Sequence, residues 1–267
     1  MSDPADPVRD TDIDGTDVDE TLGQLRRSLE DLLAFEGRYF VVPEVALESG
    51  PESGPQSGLE FGAEPAAVES TGAAVASSDW DDDGDLETFR QKICDCVKCD
   101  LGHTRTHFVF GSGNPDADIL FVGEAPGEQE DQRGQPFVGA AGELLTKILG
   151  AMKLTREQVY ICNVLKCRPP NNRDPQPEEV DRCEPYLQRQ IELVAPKIIC
   201  CLGRQAAHAL LKTQTSLSQL RGQLHQYHGI PLVVTYHPAA LLRNPDYKRD
   251  TWEDMKWVRK LHDGTEL

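Results

Sequence analysis

Four of the eight cysteines fall into one frame: Cys96 and Cys99 with two residues between them, then Cys167 and Cys183 with fifteen between. The N-terminal run is acidic and has no apolar core, so no secretory signal is expected and the expected compartment is the cytoplasm. Disulfides do not persist in a reducing compartment, so four thiolates with one tight pair point to a metal or an iron–sulfur cluster. A structural zinc knuckle more often shows two compact Cys-x-x-Cys pairs. Here Pro169, Pro170 and Pro175 stiffen the wider interval, which suits a larger cluster gripped from two distant segments. The plain alternative is four buried free cysteines.

A second group of residues is built for a different task. Gly123-Glu124-Ala125-Pro126-Gly127 leads through Glu130-Asp131 and Gly134 to Pro136-Phe137-Val138-Gly139. Its glycines allow close backbone approach and its prolines fix turns. The loop matches neither the Walker pattern nor the dinucleotide fingerprint, and its acids would repel a pyrophosphate. It is better suited to an uncharged planar ligand, with Phe137 as a stacking face and backbone N–H groups as donors.

These residues need a scaffold, and the chain past about Asp85 reads as alternating strands and helices. Apolar runs at Ile119–Val122, Val159–Asn163, Lys197–Leu202 and Leu232–Tyr236 read as strands. Helices are expected over Asp85–Ile93, Gly139–Met152, Pro177–Val194, from Gly203 to Leu211, and over about Lys248–Leu261. Pro177-Glu178-Glu179 makes a favourable first turn. Four short apolar strands alternating with helices predict an α/β fold with a four-stranded parallel sheet covered on both faces. Ligands in such sheets bind beyond the carboxyl ends of the strands. The polar residues Glu124, Asn163, Arg204 and His237 stand at just those ends, which argues for one shared site.

The formal net charge of −18 is unevenly spread: residues 1–89 hold 23 acids against 4 Arg, leaving 22 acids and 23 bases for the rest. The neutral remainder can still carry a basic groove, so nucleic acid stays open as a partner. Residues 1–84 are expected to be an acidic, largely disordered extension. Within it, Leu22, Leu25, Leu29, Leu32 and Leu33 recur at helical spacing, predicting one amphipathic helix over about 18–35 that can dock on its own domain or bind a protein partner. Residues 48–84 read as a linker and 85–267 as the folded domain. No apolar run is long enough for a transmembrane helix, and a monomer is expected.

The loop Gly123–Gly139, the pair Tyr160-Ile161-Cys162-Asn163 and Lys166-Cys167-Arg168-Pro169-Pro170, and the run Thr235-Tyr236-His237-Pro238-Ala239-Ala240-Leu241-Leu242-Arg243 resemble the family 4, iron–sulfur, uracil-DNA glycosylases. The similarity runs from about Cys96 to Leu261. It implies a single three-layer α/β/α domain, a [4Fe–4S] cluster on Cys96, Cys99, Cys167 and Cys183, and excision of uracil from DNA. Cys94 is a substitute for Cys96 by spacing, but Asp100-Leu101 and Thr104-Arg105 follow Cys99 as the resemblance expects. In that reading Phe137 stacks on a flipped base, Asn163 addresses uracil O4 and N3, and Ala125 lines the pocket. Glu130 sits beside C5, where a thymine methyl would clash. His237 donates to O2 of the departing base, and Glu124 orients water or faces the sugar cation. Other families of the superfamily carry a carboxylate one position later, at Ala125. Leu241 fills the gap left in the helix, and Arg243, Lys248, Arg168, Arg173 and Lys166 meet phosphates. The competing expectations are a non-catalytic DNA-damage-binding module and a redox-sensing iron–sulfur protein of the same fold.

Overall fold

The computed structural model describes residues 84–264. The acidic extension and its expected helix lie outside the described residues. Six strands form one sheet: β1 (Ser112–Gly113), β2 (Ile119–Gly123), β3 (Tyr160–Asn163), β4 (Ile198–Leu202), β5 (Leu224–Tyr227) and β6 (Ile230–Thr235), in the order β1-β3-β2-β4-β6-β5. The inner four, β3-β2-β4-β6, are parallel, as the sequence predicts.

The expected four-stranded sheet is corrected at both rims, where β1 and β5 add on antiparallel. Neither carries a strand pattern of its own. β1 has two residues, and Leu224-His225-Gln226-Tyr227 is a polar edge in which only Tyr227 is buried. Pairing to a neighbour already in place makes both of them strands, a tertiary effect that local propensity does not show. The β5–β6 hairpin closes through His228 (φ 48°) and Gly229 (φ 85°), the two positive values that a tight two-residue turn requires.

Residues alternate between the faces of the inner strands. Leu120, Val122, Cys162, Cys201 and Val234 pack with helices α1 (Leu86–Ile93), α5 (Pro177–Val194) and α6 (Arg204–Leu211). Ile119, Phe121, Ile161, Cys200 and Val233 pack on the other side with α4 (Ala140–Ala151) and α9 (Tyr247–His262). The result is three layers with a core on each face, and the buried strand cysteines Cys162, Cys200 and Cys201 serve as packing residues. Short helices α2 (Leu101–Thr104), α3 (Glu128–Arg133), α7 (Leu217–Leu220) and α8 (Pro238–Arg243) complete the chain order. Among the described residues no helix is long and apolar enough to cross a membrane.

From β2 the chain passes to β3 on one side, then returns to β4 on the other. A crevice must therefore open between the carboxyl ends of β2 and β4, where sheets of this kind bind ligands.

Candidate active site and thiol centre

That crevice is a cleft of about 380 Å³, lined by Glu124, Ala125, Glu130, Phe137, Asn163, His237 and Arg243 among others. They come from three stretches far apart in sequence: the loop after β2, the end of β3, and the cap and end of α8.

Gly123 ends β2 at the point where the pocket is tightest. A methyl group there would stand 2.3 Å from Asn163 Oδ1 and 2.6 Å from the Phe137 ring, so only glycine lets the two meet. Asn163 is 1% exposed, and its Oδ1 has no hydrogen-bond partner within the protein. A buried, unpaired acceptor is costly and needs an explanation, and a ligand that brings a donor supplies one.

Phe137 lies nearby in a left-handed conformation, φ 53°, unusual for a bulky residue and typical of functional sites. Two contacts hold it there. Arg156 donates to the Pro136 carbonyl at 2.8 Å and the Phe137 carbonyl at 3.0 Å. Gly142 packs so closely on the Phe137 carbonyl that a Cβ would sit 1.8 Å from its oxygen. The Phe137 ring stands 5.4 Å from that of His237, tilted by 33°.

His237 caps α8. The Ala239 N–H donates to its Nδ1 at 3.2 Å. A backbone amide can only donate, so Nδ1 is bare and the ring proton sits on Nε2. Burial, helped by the charge of Arg243, pushes the imidazole down to about 4, so it is neutral near pH 7. Glu124 moves the opposite way. Burial first, then the negative charge of Asp174, raises its carboxyl to about 7 against the pull of Arg204.

Several expected residues have different surroundings. Glu130 lines the cleft, but its carboxylate accepts from the N–H groups of Val138 (2.8 Å), Gly139 (2.9 Å) and Gly127 (3.2 Å), so it staples the loop. Leu241, expected as a wedge against DNA, is 1% exposed and belongs to the core; its neighbour Leu242 is 50% exposed. One helical step decides which leucine faces out, and the sequence offers two in a row. Lys166, expected near phosphate, is fully buried. Arg173 pairs with Glu179 at 2.6 Å, and Arg168 donates to Asn172 at 2.8 Å. Asn172 and Asp174 line the cleft and were not foreseen; the signal was the Asn171-Asn172 pair, a residue type that tolerates the left-handed φ of 56° and 53° found here.

Around Cys183 of α5 the four framed cysteines come together. Cys167 and Cys183 are in the same core as Cys96 and Cys99, and the charges of Cys96 and Cys99 act on Cys167 while those of Cys167 and Cys99 act on Cys183. Burial pushes Cys167 up to about 11 and Cys183 to about 12, so both stay protonated unless a metal cation replaces the proton. Donors converge on the sulfurs: Arg105 on Cys167 at 3.4 Å, Tyr186 hydroxyl on Cys96 at 3.2 Å and the Lys98 N–H on Cys96 at 3.5 Å. Arg105 also donates to the carbonyls of Cys94 (3.0 Å) and Cys96. Cys94 turns away, its thiol donating to the Gln91 carbonyl at 3.4 Å. Among the described residues no group of three or more His, Cys, Asp or Glu closes tightly enough for a single metal ion. In donor chemistry, four thiols with cationic, hydroxyl and N–H donors around them fit a multi-iron cluster, whose ligands are thiolates.

The fold and site define a three-layer α/β protein with a ligand pocket at its switch point and four thiols gathered in one core. The profile of the Uracil DNA glycosylase superfamily matches residues 110–256. A type-4 uracil-DNA glycosylase of Archaeoglobus fulgidus is 47% identical over 184 residues, 66% of this chain and 92% of that protein. One of Thermotoga maritima is 43% identical over 180 residues, 66% of this chain and 94% of its own. A type-5 uracil-DNA glycosylase of Pyrobaculum aerophilum is 32% identical over 146 residues, 48% of this chain and 64% of that one. The chain belongs to the uracil-DNA glycosylase superfamily.

Proposed function

We propose that this protein is a monofunctional uracil-DNA glycosylase of the type-4 kind, acting in base excision repair. It receives a uracil swung out of DNA, at a cost of a few kcal/mol, hydrolyses the N-glycosidic bond and leaves an abasic site. The observation that carries this reading is Asn163 Oδ1, buried and unpaired beside an aromatic face. Uracil N3–H is the donor that completes it, and cytosine presents a bare N3 there, leaving two acceptors opposed. Unpaired buried groups of this kind give strong discrimination.

Phe137 stacks on the base. When the C1′–N1 bond breaks, uracil leaves with the electron pair and charge builds on O2. The Nε2–H of His237 meets that charge, stabilising the transition state without a proton transfer. Water adds to C1′, and its proton passes to Glu124, whose raised pKa suits a base near neutrality. Arg243 and Arg168 contact phosphates, and Leu242 occupies the gap in the helix.

Cys96, Cys99, Cys167 and Cys183 would hold a [4Fe–4S] cluster, and their ligation would tie together the turn before α2, the segment after β3 and helix α5.

The decisive experiment is incubation of anaerobically purified protein with an oligonucleotide carrying one uracil, followed by alkali. Cleavage at that position is expected. An intact strand, with the protein bound tightly to it, would identify a binding module instead.

A further inference from the structure

Lys166 has no part in the mechanism above, yet it is among the most buried polar residues, at 0% exposed. It lies three residues after Asn163 and one before Cys167. Its ammonium donates to the Asn163 carbonyl at 2.7 Å and to Gln190 Oε1, while Gln190 Nε2 donates to the Phe110 carbonyl at 2.9 Å. Both acceptors are neutral. Among the described residues no carboxylate forms a hydrogen bond with the ammonium. A buried cation without a counter-charge is costly, so one must be close. The candidates around it are thiols: Cys167 is the next residue along, the backbone N–H and the charge of Lys166 both reach Cys183, and the charge reaches Cys162 as well.

We propose that Lys166 is a positioning residue that couples the thiol centre to uracil recognition: its ammonium is balanced by the cluster-bound thiolates and holds the Asn163 peptide whose side chain meets the base. The proposal rests on the cluster reading given above. Ligated thiolates supply the negative charge that a buried ammonium needs, and the ammonium, fixed between Gln190 and the end of β3, sets where the Asn163 amide stands. Losing the positive charge also makes an added electron on the cluster less favourable.

The test compares anaerobically purified full-length wild type, K166M and K166R. Met keeps the length of the side chain and removes its charge. Iron content and visible absorption are measured first. A wild-type protein without iron overturns the cluster reading and this proposal together, before any variant is compared. In iron-replete protein two quantities are then read: the reduction potential of the cluster, and the preference in binding for an oligonucleotide with a non-hydrolysable 2′-fluoro-deoxyuridine over the matching thymidine.

K166M is expected to move the potential to more negative values and to lower the preference about tenfold, equivalent to about 1.4 kcal/mol. K166R is expected to restore the potential and part of the preference. A change in only one quantity, or in neither, overturns the coupling. If K166M does not fold or hold iron, Gln190→Leu takes its place. It removes one acceptor, so the ammonium should turn toward the thiolates, raising the potential while the preference falls. Invariance of either quantity overturns the proposal.

Discussion

The base pocket and the thiol centre draw on the two ends of the same short segment, Asn163–Cys167, and they are built in different ways. The pocket is made of strand ends and the loops that follow them, and one acceptor in it has no donor: Asn163 Oδ1 is buried and unpaired. The thiol centre is made of turns and a helix face: burial holds Cys167 and Cys183 protonated, Arg105 donates to Cys167, and the Tyr186 hydroxyl and Lys98 N–H donate to Cys96. One site leaves an acceptor open beside an aromatic face, and the other gathers four thiols with donors to their sulfurs.

Mutations can break this contrast from either side. The largest effect belongs to the pocket. Asn163→Ala and His237→Ala should each lower kcat/KM for uracil release by ~10²–10³-fold, with iron content and thermal midpoint close to wild type. Single-turnover rates near wild type would remove both residues from the roles given them.

The next effect falls on the fold. Leu241→Ala empties a core position and should cost about 2–5 kcal/mol of stability in denaturant unfolding. Cys167→Ser should abolish iron binding and lower the thermal midpoint. Activity of the fraction that stays folded should fall far less than in Asn163→Ala. If Cys167→Ser kept its iron and midpoint, the thiol centre would not be one.

A moderate effect is set by pH. Glu124 is ionised above about 7, so kcat/KM should fall about tenfold per pH unit below that value as the carboxylate takes a proton. His237 stays neutral down to about 4 and should add no second acid limb above it. Glu124→Gln should be slower and flat across this range. A wild-type profile flat from pH 5 to 8, roughly the interval in which such groups titrate, would deny Glu124 the role of base.

The smallest effect distinguishes the two leucines. Leu242→Ala should change stability by less than about 0.5 kcal/mol, yet slow release of uracil from duplex DNA several-fold relative to single strands. Equal slowing on both substrates would show that Leu242 fills no gap.

Much of this was legible along the chain because local pattern carries it. The four inner strands are short apolar runs, α5 begins at Pro177 where its first-turn signals stand, and the loop from Gly123 to Gly139 announces its pocket by composition. Spacing alone leaves Cys94 as a substitute for Cys96, and in space the Cys94 thiol turns to the Gln91 carbonyl. What was not legible depends on which direction a side chain takes. Glu130 reads as a group aimed at substrate and proves to be a backbone staple, Lys166 reads as a phosphate ligand and is buried, and two adjacent leucines cannot be told apart before α8 has an orientation.

The sequence by itself determined the alternation of strands and helices, the two sets of chemically unusual residues and their order, because hydrophobic period and residue type are local properties. Tertiary structure alone decided that Gly123, Phe137, Asn163 and His237 share one space, that β1 and β5 become edge strands, and which polar groups are left without partners. Those outcomes depend on strand order and burial, which bring residues over a hundred positions apart within reach and remove the water that would otherwise satisfy them.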